Sequence, residues 1–333
     1  MKKALRILAV VLAAIVGLAI LAYGVAWGIA KSRYEKQWVA HRADFPIPFP
    51  LTEAELAPLR ADGLVAGAPA DDPLAGMDLN GIALARAIVR GEKLVNSRVG
   101  CNGCHSRDFG GAVLVDALLL GRWAAPNLTT GKGSVTLTYT ASDWDHAVRH
   151  GLRHNGRTSS MPAVEFTNLS DREVSDIVAF IRSQPPVDRE LPTMRYGPVF
   201  AFVFASVPDY VVAYHVDHQK AHAREPPAAA PNAAFGEHLV QVCRGCHGAG
   251  LSGGKIQGDP HMPVVANLTP DESGLKAWSE ADFIRALRQG RRPDGSAISE
   301  YMPWKAYGRM GDDELKAIYA YLRTVPAKAK GNR

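Results

Sequence analysis

The chain contains two short cysteine motifs, Cys101-Asn-Gly-Cys-His105 and Cys243-Arg-Gly-Cys-His247. These motifs include all four cysteines of the 333 residues, so none remains for a structural disulfide. A Cys-X-X-Cys pair alone is ambiguous, because zinc sites, thiol redox sites and covalent haem attachment all use this spacing. A zinc site would need further ligands, and no other cysteine exists to supply them.

The histidine directly after each pair favours haem attachment. Two thiols at this spacing can add to the two vinyl groups of a haem, while the adjacent imidazole ligates the iron from one face. We therefore predict two covalently bound haem c groups, with His105 and His247 as axial ligands. The attachment residues are Cys101, Cys104, Cys243 and Cys246.

The two motifs belong to a repeated module. When the chain is shifted along itself so that the two motifs coincide, further segments align in the same order. The aligned pairs are Asn127-Leu-Thr129 with Asn267-Leu-Thr269, Gly151 with Gly290, and Met161-Pro162 with Met302-Pro303. The repeat indicates one kind of domain used twice.

The repeat also indicates a sixth iron ligand. Met161 follows His105 at nearly the same spacing along the chain as Met302 follows His247. A single methionine in an apolar chain is more often a core residue than a ligand. Because both methionines occupy the same place in two modules, we predict that they ligate the irons, which raises the potential relative to two histidines.

Composition and periodicity predict an all-α fold. The chain is 47% hydrophobic and carries a formal charge of only +5, so it has enough apolar residues for two domains and no nucleic-acid partner is predicted. Apolar residues recur at helical spacing in several segments, and the only short strand-like exception is Val135–Tyr139. The predicted helices are Ile82–Val95, Ser142–His150, one opened by the capping box Ser170-Asp-Arg-Glu173 and stopped at Pro185, Phe235–Val242, Ser279–Gln289 and Asp312–Leu322.

An uncharged apolar segment, Ile7–Ala30, follows three basic residues near the N-terminus. As a helix it spans about 36 Å, enough to cross a hydrocarbon core of about 30 Å. We predict an uncleaved single transmembrane helix; the alternative is a signal sequence cut near Ala22 or Ala30.

Several histidines and tryptophans need separate interpretations. The first module has a histidine every four residues at His146, His150 and His154, but the second has Arg285, Gln289 and Pro293 there. We therefore favour a solvated polar face over a metal site. Solvent exposure is also predicted for His215, His218 and His222, with contact of one to a haem edge as the alternative. Haem-pocket or core positions, rather than an electron relay, are predicted for Trp144 and Trp278.

The chain resembles membrane-anchored multihaem cytochromes c of bacterial respiratory chains, built from class I cytochrome c modules. It is most similar to the cytochrome subunits of periplasmic alcohol and gluconate dehydrogenases, although those usually carry three haems and this chain has two motifs. The resemblance covers about residues 81–186 and 231–326. Besides the haem motifs and Met-Pro pairs, it rests on Ala125-Pro-Asn-Leu128, Asn267-Leu-Thr-Pro-Asp271, Ala277-Trp-Ser-Glu-Ala-Asp-Phe283, Arg292-Pro-Asp-Gly295 and Ala320-Tyr-Leu-Arg323.

The resemblance implies two tandem class I cytochrome c-like domains after a single N-terminal transmembrane helix. The expected division is an anchor at 1–30, an irregular stalk at 31–80, domain 1 at 81–186, a linker at 187–230 and domain 2 at 231–328. The linker contains Val199–Val207, too short to span a bilayer. We expect this stretch to pack along the haem domains; the alternative is that it lies on the membrane or docks a partner.

The resemblance further implies how each module is built. Its first and last helices should cross closely at Gly91 near Phe180 and at Gly236 near Tyr321. A peptide oxygen at Pro126 should accept a hydrogen bond from the proximal imidazole, although the second module has Ala266 at that place. Asn127 and Asn267 are expected beside these contacts.

The implied function is electron transfer in the periplasm, by a protein held in the bacterial cytoplasmic membrane. The expected donor is a dehydrogenase or quinol-oxidising partner, and the expected acceptor is a terminal oxidase or soluble cytochrome. No catalytic residue is predicted. The alternative is a dihaem enzyme, such as a peroxidase or a thiosulfate-oxidising cytochrome, in which one iron has an open or displaceable sixth position. A haem-based sensor or a purely structural subunit would also need a labile ligand or an effector domain, and no such domain is recognisable.

Overall fold

The computed structural model describes residues 2–61, 69, 72–207, 210–256 and 262–332. The helices in these residues are α1 (Lys2–Glu35), α2 (Glu53–Ala61), α3 (Leu79–Leu94), α4 (Ala141–Arg149), α5 (Asp171–Ser183), α6 (Pro198–Ser206), α7 (Ala233–His247), α8 (Glu280–Gln289), α9 (Trp304–Tyr307) and α10 (Asp312–Leu322). The strands are β1 (Ala112–Ala117), β2 (Gly121–Ala125) and β3 (Arg195–Tyr196).

Each cysteine motif lies in a module whose first and last helices cross. Helix α3 packs against α5 in module 1, and α7 packs against α10 in module 2. A Cβ at Gly91 would overlap the carbonyl oxygen of Asp176, and one at Gly236 would overlap the carbonyl oxygen of Ala317. The same hypothetical atoms would lie 2.8 Å from Phe180 and 2.9 Å from Tyr321. The close crossings expected at both glycines are therefore present.

Local signals define the ends of the middle helix in each module. Thr140 and Asp143 form a reciprocal capping box at the start of α4, and Ser279 and Asp282 form the equivalent one at α8. Helix α8 ends at Gly290, whose φ of +65° is a left-handed conformation that favours glycine. These elements follow the sequence pattern closely.

A small antiparallel sheet in module 1 departs from the all-α prediction. Its strand order is β1-β2-β3, and the hairpin joining β1 to β2 carries Leu118, Leu119 and Leu120. The strand Ala112–Ala117 is apolar at most positions, so it shows no alternation that would identify it as a strand. The segment Val135–Tyr139, the one strand-like exception in the sequence, forms turns instead.

The segment expected to be an irregular stalk wraps module 1 and includes a helix. Phe45 and Phe49 are buried in the same apolar cluster as the module 1 helices. The hydroxyl of Ser175 donates to the carbonyl oxygen of Pro46 at 2.8 Å. Farther along, α2 positions Glu55 to accept from Arg90 at 2.8 Å. These contacts join the segment to α3 and α5.

Most of the apolar stretch Val199–Val207 lies in α6, which contacts α1 and the sheet of module 1. Tyr34 near the end of α1 packs edge-on against Phe204, with ring centroids 4.6 Å apart. Phe200 stacks on Trp123 of β2 at 4.3 Å. Helix α6 therefore lies between the end of the long apolar helix and the sheet of module 1, which sequence periodicity could not reveal.

The helix crossing makes a testable prediction at Gly91. Replacing an exposed helical glycine by alanine usually stabilises a helix by about 1 kcal/mol. Gly91→Ala should instead lower the free energy of unfolding by about 1–3 kcal/mol, because the added methyl group meets main-chain atoms of α5. Denaturant titration of the haem-loaded protein measures this change.

Ala85→Leu is the matched control, because Ala85 is exposed on the same helix. It should change the free energy of unfolding by a few tenths of a kcal/mol at most. Equal effects of the two substitutions would contradict the close crossing.

Candidate haem sites

The motif histidines are held in one tautomer by main-chain carbonyl groups. His105 Nδ1 lies 2.8 Å from the carbonyl oxygen of Pro126, and His247 Nδ1 lies 2.8 Å from that of Ala266. Since a carbonyl oxygen can only accept, Nδ1 carries the hydrogen and Nε2 carries the lone pair in each ring. Burial also lowers the pKa of His105, although the Pro126 bond opposes this. Both rings fit axial ligation of haem iron.

The two cysteine motifs reach this geometry by different local structures. In module 1, α3 continues into a π-helical turn, Val95–Val99, and Gly100 with φ +67° precedes a short turn at Cys101–Gly103. In module 2, the whole motif Cys243–His247 lies on α7. The segment between the helix-crossing glycine and the first cysteine is longer in module 1 than in module 2. The π turn and Gly100 accommodate the additional residues of module 1.

The first cysteine of each motif is half-buried and the second is exposed. Before haem is attached, burial raises the pKa of both Cys101 and Cys243 to about 12, and these thiols are protonated at neutral pH. A thiol forms a thioether by adding its sulfur and hydrogen across a vinyl double bond. The half-buried first cysteine of each motif packs against an apolar cluster and would hold one vinyl group of the haem.

Each predicted methionine ligand is partly buried in the apolar cluster of its own module. Met161 packs against the cluster that also contacts Cys101, and Met302 packs against the cluster that contacts Cys243. Met310 differs, because it is only 1% exposed and belongs to the interior of the second cluster. Met161 and Met302 thus lie at the edges of the apolar clusters, while Met310 is a core residue.

Asn127 and Asn267 stabilise the loops that carry the two carbonyl oxygens. The Oδ1 of each accepts from the main-chain N–H and the hydroxyl of Thr129 or Thr269, at 2.8–2.9 Å. The Nδ2 of each donates at 2.7 Å to a later carbonyl oxygen, of Val187 in module 1 and of Lys328 in module 2. The two asparagines therefore position the imidazoles indirectly, by fixing the loops that carry the acceptor carbonyl groups. Both modules contain the same set of asparagine hydrogen bonds.

A buried charge cluster joins the two modules. Arg98 Nη1 donates to Glu173 Oε1 at 2.6 Å, and His238 Nε2 lies 2.9 Å from the same oxygen. Burial alone would raise the pKa of Glu173, but Arg98 and His238 outweigh it and lower this pKa to about 2. We call Arg98, Glu173 and His238 the interface cluster. The sequence pattern predicted Glu173 as part of a capping box and gave no sign of its contact with module 2.

The interface places the second motif against module 1. Val242 is buried in the apolar cluster of module 1, and Cys243 and Tyr307 pack against that cluster. Cys243 also packs against the cluster of module 2. The attachment residue of the second module therefore adjoins the cluster that holds Met161 and Cys101.

The histidines outside the motifs only partly follow the sequence prediction. His154 and His215 are exposed, as expected, but His150 and His218 are buried and the side chain of His222 is only 4% exposed. The prediction of a solvated face was therefore wrong for His150, and that of a solvated linker was wrong for His218 and His222. Trp144 is a buried core residue and Trp278 packs against the second cluster.

Comparisons with known proteins identify the two modules. Residues 88–185 match the family described as cytochrome c, and residues 230–322 match the family described as cytochrome c oxidase, cbb3-type, subunit III. The chain therefore contains two cytochrome c domains and carries two covalent haem c groups.

Several cytochrome subunits and a dihaem cytochrome are similar over most of the chain. The fructose dehydrogenase cytochrome subunit of Gluconobacter japonicus is 26% identical, over 70% of this chain and 51% of that protein. The gluconate 2-dehydrogenase cytochrome c subunit of Pantoea cypripedii is 30% identical, over 72% and 60%. A diheme cytochrome c-type protein of Cereibacter sphaeroides is 26% identical, over 72% and 86%. The chain thus spans between half and three fifths of the length of the two dehydrogenase subunits.

The interface cluster makes the stability depend on pH. Glu173 has a folded pKa of about 2, below its ordinary value of 4.5. Its contribution is therefore fully present above pH 4.5 and is lost as the pH falls towards 2. Glu173→Gln should weaken the decline in free energy of unfolding across this range, while the glutamine still caps α5. Denaturant titrations at several pH values measure the slope.

Glu237→Gln provides the control, because Glu237 is exposed beside His238 on α7. This variant should keep the slope of the unmodified protein. An unchanged slope in Glu173→Gln would show that the interface cluster does not carry the acid sensitivity.

Proposed function

We propose that the protein transfers electrons through its two haems, from a respiratory donor to an acceptor. The observation that carries this proposal is the position of Cys243, which packs against the apolar clusters of both modules. Haems attached at Cys101 and Cys243 would both adjoin the apolar cluster of module 1. This arrangement supports passage of an electron within one molecule.

We assign the axial ligands to His105 with Met161 and to His247 with Met302. Each haem, when bound, supplies an iron that alternates between the ferric and ferrous states. The carbonyl oxygens of Pro126 and Ala266 orient the imidazoles, and the apolar clusters partly bury Met161 and Met302. Thioether ligation and burial both favour the reduced iron, so the residues set the potential without moving a proton.

The proposed donor is a dehydrogenase or quinol-oxidising partner, and the proposed acceptor is a terminal oxidase or a soluble cytochrome. Support comes from the similarity to the cytochrome subunits of fructose and gluconate dehydrogenases. The two matched methionines favour a carrier over a peroxidase or thiosulfate-oxidising enzyme, which would need an open position at one iron.

We further propose that α1 is an uncleaved anchor in the bacterial cytoplasmic membrane, with both modules in the periplasm. Its apolar side chains are exposed along most of its length, and by length and composition it could cross a bilayer. Its last turns are buried against α6 through Ala30 and Tyr34. Cleavage near Ala30 would divide this cluster, which supports retention of the helix.

Ligation by the two methionines is testable by absorption spectroscopy. Met161→Leu and Met302→Leu should each remove about half of the methionine–iron charge-transfer band of the oxidised protein, because each would lose one of two sulfur ligands. Each variant should also have one haem of lower potential.

Met310→Leu is the matched control, because Met310 is a buried methionine that we assign to the core. It should leave the band intact. A band that survives in Met161→Leu or Met302→Leu would disprove that ligand, and rapid cyanide binding by the unmodified protein would favour the enzymatic alternative.

Retention of α1 is testable by intact-mass measurement of the protein purified from membranes. The expected mass includes residues before Ala30 together with two haems. A mass that corresponds to a chain beginning after Ala22 or Ala30 would show that the segment is a cleaved signal sequence.

A further inference from the structure

Four metal-ligating side chains converge outside the haem sites. His41 comes from the segment before α2, Asp145 lies on α4, His150 directly follows α4, and His222 lies between the modules. One ligand atom from each lies within 4.8 Å of those of the others. The Nε2 atoms of His41 and His150 lie 3.7 and 3.6 Å from Asp145 Oδ2. We call these four residues the histidine cluster.

The hydrogen bonds around the histidine cluster direct a lone pair towards its centre. His218 Nε2 lies 2.8 Å from the carbonyl oxygen of Ala213, so it carries the hydrogen and leaves Nδ1 as an acceptor. His150 Nδ1, at 3.1 Å, must then donate to His218 Nδ1, which leaves His150 Nε2 with a lone pair. A neutral imidazole that donates from Nδ1 and points Nε2 inward is the form that binds a metal.

The opposing imidazole lies close enough to share a cation. His222 Nε2 is 3.1 Å from His150 Nε2, and the His222 ring is also hydrogen-bonded to the main chain of Thr167. Burial, reinforced by neighbouring positive and histidine groups, lowers the pKa of His150 to about 2 and that of His222 to about 3. Both rings are therefore neutral at ordinary pH, and a positive charge between the two nitrogens would relieve their repulsion.

Two polar atoms in the cluster have no hydrogen-bond partner among the described residues. They are Asp145 Oδ2, whose side chain is fully buried, and His41 Nδ1. A buried oxygen without a partner costs about 1–3 kcal/mol or more if charged. Because Asp145 Oδ2 faces the Nε2 atoms of His41 and His150, a cation at the centre would satisfy it.

The surrounding charges allow a divalent cation. Arg149 donates to Asp145 Oδ1 at 2.6 Å and to Asp171 Oδ1 at 2.8 Å. One arginine thus balances two carboxylates, which leaves a net charge of −1 beside neutral imidazoles. Burial raises the pKa of Asp145 and the Arg149 charge opposes this, so a bound cation would replace any proton on Oδ2.

We propose that His41, Asp145, His150 and His222 form a structural zinc site. Three imidazole nitrogens and one carboxylate oxygen make a closed four-ligand set of the kind that zinc prefers. Two ligands about 2.1 Å from a tetrahedral centre lie about 3.4 Å apart, and the contacts of His41 and His150 with Asp145 Oδ2 and of His150 with His222 measure 3.1–3.7 Å. The metal would join the wrapping segment, α4 and the inter-module segment.

The site belongs to module 1 alone. At the positions equivalent to Asp145 and His150, module 2 has Ile284 and Gln289, which cannot supply the same ligands. The zinc is therefore separate from the repeated haem machinery. It stabilises the segments that wrap module 1.

The test uses the full-length, haem-loaded protein in detergent. After chelator treatment and gel filtration, the protein is dialysed against zinc, and bound zinc is counted against haem iron by elemental mass spectrometry. We expect one zinc for every two irons. His222→Gln and His41→Gln should bind zinc at least about tenfold more weakly, since each removes one ligand.

His154→Gln is the matched control, because its side chain is 66% exposed and pairs with Asp143 outside the cluster. It should keep the unmodified zinc stoichiometry. Zinc should also raise the melting temperature of the unmodified protein and of His154→Gln, but not that of His222→Gln. Both His41→Gln and His222→Gln are measured, so that a folding defect in one does not decide the result. Haem absorption verifies that each variant is folded.

The proposal is overturned if the unmodified protein retains no zinc. It is also overturned if His154→Gln loses as much zinc as His222→Gln, or if folded His41→Gln and His222→Gln both bind zinc with unchanged affinity.

Discussion

The arrangement of the two haem modules depends on the buried interaction of Arg98, Glu173 and His238. Removing charged groups from water is costly, and the cost is recovered only when each group meets its partner. Arg98 and Glu173 belong to module 1 and His238 belongs to α7 of module 2, so the cluster is complete only when the modules dock. This requirement places Cys243 beside the core of module 1.

Because the module is repeated, both copies orient the iron-binding imidazole in the same way. The hydrogen bonds of Asn127 and Asn267 hold equivalent loops, and the acceptor in each loop is a main-chain oxygen. Because the acceptor belongs to the backbone, replacement of Pro126 by Ala266 in the second copy leaves the 2.8 Å contact unchanged. The orientation of the imidazole thus depends on the backbone path of the loop and not on the side chain at this position.

Local sequence signals predicted the parts of the structure that depend on local interactions. The haem motifs, the repeat and the capped helices α4, α5 and α8 follow from short patterns. The close crossings at Gly91 and Gly236 were expected from the family resemblance. The hairpin of β1 and β2 is local but lacks the alternation that identifies strands. The third strand, the wrapping segment and the interface cluster depend on residues far apart in the chain. The histidine cluster was missed for the same reason, since His41, His150 and His222 come together only after folding. The sequence comparison of the two modules favoured a solvated face for His146, His150 and His154, because module 2 has no histidines at the equivalent positions.

We expect an electron to pass between the two haems within one molecule. Rapid partial reduction of the oxidised protein, followed by absorption spectroscopy, measures how the electron redistributes between them. We expect a redistribution rate that is independent of protein concentration, because the interface cluster holds the modules together. A rate that increases in proportion to protein concentration would show transfer between molecules and would contradict the account.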